Sequence, residues 1–159
     1  ILAYLLKKPE SKYKIDKFLH SNGLDKLGIT DFSNTENQFT AKVIFDSLTQ
    51  GDLDPLDYIS EKIEDEAVLN QVSQIDSSDV SGNDLKNTDL RSLEEAARML
   101  LQLRQLFVNQ QIKDFRFLQT SQMEDGIDNP ETVHQEHLLE LVKKRGVLDR
   151  ALSKPVIIQ

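Results

Sequence analysis

The longest uninterrupted helical pattern in the chain limits its possible folds more than any other feature. From Thr88 or Asp89 to about Gln122 there is neither proline nor glycine, and apolar residues recur at three- and four-residue spacing. This predicts a single helix roughly 50 Å long, too long to stay wholly inside one small domain. At about 100° per residue, Leu90, Leu93, Ala97, Leu100, Leu101, Phe107, Val108, Ile112, Phe115 and Leu118 share one face along its whole length. A second lane, Met99, Leu103 and Leu106, exists only in the first half. The expectation is a first half buried on two sides and a second half covered on one.

The cover for that second half is expected from the last helix. Asn129-Pro130 is an N-cap followed by proline at the first helical position, and the pattern runs to about Leu152. Val133, Leu138, Leu141, Leu148, Ala151 and Leu152 form its broad packing face, and the stretch 120–129, with Gly126, is long enough for an antiparallel return. Off the packing faces remain Phe117, Leu139, Val142 and Val147, with Lys143 and Arg145 beside them. A thin hairpin has little fold in which to hide such groups, so they are the candidate partner-binding surface. Singly exposed apolar residues are the ordinary alternative, and Val156-Ile157-Ile158, after Pro155, is a candidate cover for some of them.

Shorter helices are expected upstream. One spans Ile1 to Lys8 and stops at Pro9; a second runs from about Lys12 to Ser21, with Ile15, Phe18 and Leu19 on one face and Gly23 as its stop. A third begins at Ser33, where Ser33-x-x-Glu36 has capping-box spacing; Phe39, Val43, Ile44, Phe45 and Leu48 point in most directions and predict a central, buried helix. Asp54-Pro55 opens a fourth with Leu56, Ile59 and Ile63, and Val68, Leu69, Val72 and Ile75 mark a fifth. No segment shows sustained period-two alternation. The reading is all-α: a compact helical bundle over 1–108, joined through one long helix to a C-terminal antiparallel helical hairpin over 109–159.

Composition removes whole classes of chemistry. The 159 residues contain no cysteine, which excludes disulfides, thiolate metal sites and cysteine nucleophiles and favours a reducing, cytoplasmic setting. Nineteen basic residues stand against 27 acidic ones, a net charge of −8, unlike a domain that binds phosphate backbones directly. The charge is local. From Asp46 to Asp89 there are twelve acidic and two basic residues, a net of −10, leaving +2 for the rest. Within that stretch the Ser-, Asp- and Asn-rich segment from about 76 to 88 reads as a flexible acidic linker. The chain opens on six apolar residues, Ile1 to Leu6, without an initiator methionine, as an excised piece of a longer protein would. That run is too short for a membrane span or a signal peptide.

Candidate chemistry is sparse. His134 and His137, with Glu136 and Glu140, invite a metal reading, but residues 134, 137 and 140 fan out by about 60° per step, so one ion could take two of them at most. Asp52, Asp54 and Asp57 lack the glycine and closing glutamate of a calcium loop. Nucleophile elbows, Walker sequences and dinucleotide fingerprints are missing. Lys143-Lys144-Arg145 and the lysines at 7, 8, 12, 14 and 17 are basic clusters without the aromatic interleaving that stacks bases. No catalytic residue, metal or cofactor is expected, and no direct nucleic-acid or membrane contact.

Several segments taken together resemble the C-terminal helicase-interacting domain of bacterial DnaG-type primases. They are Leu5-Leu6-Lys7-Lys8-Pro9-Glu10; Leu27-Gly28-Ile29-Thr30-Asp31-Phe32 followed by Ile44-Phe45-Asp46-Ser47-Leu48; Leu90-Arg91-Ser92-Leu93; and Leu138-Leu139-Glu140-Leu141 through Arg145 to Leu148-Asp149-Arg150-Ala151-Leu152. The resemblance covers most of the chain and rests on order and spacing. It implies a bundle followed by a hairpin, docking onto the N-terminal domains of the ring-shaped replicative helicase. The parent chain would be a nucleotidyltransferase that makes RNA primers, with no catalysis in this piece. The N-terminal domain of the replicative helicase, which has a related bundle and hairpin and associates with itself, is a second resemblance. A small metal-dependent helical enzyme is a third reading, from a different class.

Overall fold

The computed structural model describes residues 1–63, 85–124 and 132–158, and side chains within α5 and α6 from 89 to 118 and from 135 onward. All regular structure among them is helical: α1 (Leu2–Lys7), α2 (Ser11–Ser21), a 3-10 turn (Ile29–Asp31), α3 (Thr35–Ser47), α4 (Pro55–Lys62), α5 (Leu85–Glu124) and α6 (Thr132–Leu152). The segment with Val68, Leu69, Val72 and Ile75 lies outside the described residues. So does most of the expected linker, but residues 85–88 are already the first turn of α5. The chain divides into two compact units, Ile1–Leu100 with Val156–Gln159, and Leu101–Pro155.

Helix ends in the first unit follow local chemistry. Backbone hydrogen bonds from Gly23 to the His20 carbonyl and from Leu24 to the Leu19 carbonyl, 3.0 Å each, close α2 with a Schellman turn. Gly23 sits at φ 72°, a left-handed conformation that costs a residue with a Cβ about 1 kcal/mol or more. At the start of α3 the cap is Asn34, whose side chain accepts from the Glu36 N–H at 2.8 Å, and not Ser33, the expected cap. An amide oxygen two residues before that N–H makes the bond locally and displaces the longer capping box. Asp54 caps α4 through the Leu56 N–H at 3.0 Å, with Pro55 in the first turn.

Helix α3 is central in this unit: it packs against α1, α4 and the 3-10 turn, and buries Thr40, Ala41, Val43, Ile44 and Ser47. Phe39 is exposed, so α3 is not enclosed on every side. Leu5, Ile15, Leu19, Ile44 and Leu100 are wholly inaccessible and make the core. Among the described residues, Asp16 is its buried charge. One carboxylate oxygen accepts from the Leu27 N–H at 2.8 Å and the other from Lys12 Nζ at 2.6 Å, so the group is paired and hydrogen-bonded as burial of a charge demands. Lys12 also lies over the Phe45 ring at 4.7 Å. Lys8 pairs with Asp89 on α5. The tail returns to this unit, with Val156 and Ile158 buried and Ile157 and Ile158 beside Phe18 and Ser21 of α2.

In the second unit Leu101, Val108 and Ile112 of α5 and Leu141, Leu148 and Ala151 of α6 are buried. Gln105 donates to the Asp149 carboxylate at 2.5 Å, and the Phe115 and His137 rings lie 4.8 Å apart. Ten residues further along α5, the contact falls twelve residues earlier on α6, which is the register of an antiparallel pair. The division between units falls after Leu100, where the sequence suggested 108. Burial explains it. Met99, Leu103 and Leu106, expected to be enclosed, are exposed, as are Leu90, Phe107 and Leu118 of the other lane.

Candidate protein-docking surface

Of the six residues proposed from sequence, Phe117, Leu139, Val142, Lys143 and Arg145 are exposed and Val147 is half-buried. They do not form one surface. Phe117 comes nine residues after the buried Val108, and Leu139 nine residues before the buried Leu148. Nine residues are about two and a half helical turns, so each lies on the side of its helix away from the packing face. Phe117 belongs to the back of α5 and Leu139 to the back of α6.

On α6, Val142, Lys143 and Arg150 each fall within about 60° of Leu139. Arg145 stands about 120° from Leu139 and pairs with Asp149 at 3.6 Å, a half-exposed pair worth about 0–1 kcal/mol. Val147 lies towards the edge of the packing face.

One residue of this lane escaped the sequence reading. Gly146 is in the interior of α6, on the same side as Leu139, and a Cβ built there would meet nothing within 4 Å. Its φ is not in the left-handed region, so neither conformation nor internal packing asks for glycine. Glycine inside a helix costs about 0.5–1 kcal/mol relative to alanine. What its missing side chain does supply is a place for another backbone to approach closely. An isolated glycine in an otherwise unbroken helical pattern was the available signal.

Some of the remaining candidates have structural roles. His137 rests on Phe115, and the His134 side chain lies outside the described residues. Among the described residues, no three His, Cys, Asp or Glu side chains are grouped to hold a metal ion. Asp54 is occupied as a cap. The loop holding Asp52 is organised by Gln50, whose side-chain oxygen accepts from the Asp52 and Leu53 N–H groups at 3.0 and 2.9 Å, while its amide donates to the Leu53 carbonyl at 2.7 Å. No described helix is long and apolar enough to cross a membrane. No family model, curated protein or solved structure matches this chain.

Proposed function

We propose that this chain is a protein-docking module, the helicase-interacting part of a cytoplasmic bacterial primase, and that the back of α6 is its docking face. The observation that carries the docking reading is the exposed lane of Leu139, Val142 and Lys143 around Gly146. It combines apolar anchors, one cation and a gap in the helix surface, suited to a helix of the partner crossing close to the α6 backbone. The choice of partner, the N-terminal domains of the replicative helicase, comes from the resemblance of Leu27 to Leu48 and Leu138 to Leu152 to the primase family. Tethering would hold primer synthesis at the moving fork by raising its effective concentration there.

The test is a titration of the chain against the replicative helicase of the same organism. Leu139→Glu and Val142→Glu should abolish binding with helical circular dichroism unchanged. Gly146→Leu, which meets open space within the chain, should do the same. Binding that survives all three removes the docking face from α6. Stable rings or trimers of the chain alone in sedimentation would instead favour the helicase-domain reading.

A further inference from the structure

The apolar lane on the back of α6 is interrupted by two cations placed around its glycine. Lys143 and Arg150 stand within about 40° of Leu139, about 4.5 Å before and 6 Å after Gly146 along the helix axis. Both are exposed, and among the described residues neither has an ion pair. The Arg150 Nε–H donates to the Gly146 carbonyl at 3.2 Å, which holds the guanidinium beside the gap and leaves its two terminal amino groups for an outside acceptor. On the reading of α6 as the docking face, we infer that the partner's crossing helix carries an aspartate or glutamate at the contact. Arg150 receives that carboxylate, and Lys143 adds positive charge on the other side of Gly146.

The neighbouring charges fit this assignment. Asp149 stands about 100° from Arg150 around the helix and is engaged by Arg145 at 3.6 Å and by Gln105 at 2.5 Å. Glu140 is about 100° from Leu139, outside the lane, and Glu136 lies about two turns before Lys143. The helix macrodipole favours a cation such as Arg150 in the last turn, but it fades within a turn and does not account for Lys143 on the same side two turns earlier. A carboxylate matches the planar guanidinium fork with two parallel hydrogen bonds. A nucleic-acid backbone fits the lane less well. Its repeated phosphates would meet Glu136, Glu140 and Asp149, and α6 contains no Phe, Tyr or Trp to stack a base.

The experiment is a titration of the chain against the replicative helicase of the same organism at about 50 and about 300 mM salt. Arg150→Gln should weaken binding roughly 30-fold or more at the lower salt and reduce its salt dependence, with helical circular dichroism unchanged. Arg150→Lys, which keeps the charge and loses the fork, should bind between wild type and Arg150→Gln. Lys143→Gln should weaken binding less than Arg150→Gln. Binding lost in Arg150→Glu should be restored by one acid-to-lysine change in the helicase N-terminal domains, which a merely structural role for Arg150 would not allow. Binding abolished by Leu139→Glu yet unchanged in Arg150→Gln and Lys143→Gln overturns this inference and leaves the docking face standing. Wild-type affinity in Leu139→Glu, or no binding by the wild-type chain, overturns both. A single-stranded oligonucleotide that binds the wild-type chain and not Arg150→Gln would put phosphate in the place of the carboxylate, and that too overturns the assignment.

Discussion

The first unit and the hairpin bury apolar residues in different geometries, and the difference decides what each has left to offer a partner. In the first unit α3 packs against α1, α4 and the 3-10 turn, so Ile44 is wholly inaccessible. In the hairpin each helix has one covered side. Leu141 and Leu148 are buried there, while Leu139 and Phe117 on the backs are not. Two helices share one face, and whatever else is apolar stays at the surface. The first unit thus encloses its apolar residues, and the hairpin leaves several of its own at the surface.

Substitutions that sharpen this contrast rank by how many sides of the residue are covered. Ile44→Ala should cost about 2–5 kcal/mol in chemical denaturation, because a cavity closed on several sides cannot collapse. Asp16→Ala, which strands the Leu27 N–H and Lys12, should cost about 1–3 kcal/mol, and Asp16→Asn less, because its amide oxygen still accepts from Leu27. Gly146→Ala should stabilise by about 0.5–1 kcal/mol in the same measurement while weakening helicase binding; stabilisation without any loss of binding would break the link between that glycine and docking. Leu139→Ala should change stability by less than about 0.5 kcal/mol. A loss for Leu139→Ala comparable to that of Ile44→Ala would mean that the hairpin back is covered within the chain, and the contrast would fail.

Much of the fold was legible because its signals are local. Pro9, Gly23 and Asp54-Pro55 act within a few residues of themselves, and the helix boundaries fall where they indicate. The length of α5 followed from the absence of any breaker. What escaped depends on contacts between elements. An apolar lane states that a face can be buried, not that anything reaches it, and Met99, Leu103 and Leu106 have the pattern without a cover within the chain. For the same reason the six candidate site residues were grouped by being off a packing face. Only the antiparallel register, fixed by Gln105 with Asp149 and Phe115 with His137, separates Phe117 from Leu139. Gly146 was visible in the sequence; its meaning depended on finding the space beside it empty.

The continuity of α5 has a mechanical side. Residues 85–100 are held in one unit and 101–124 in the other, with no proline or glycine between them. A strut of this kind transmits torque about its own axis. A pull that reaches α5 acts on a helix that is continuous through Leu100 and Leu101, not on a slack linker. Under load, the place to look for failure is the seating of Leu93, Ala97 and Leu100 in the first unit, where all three are buried.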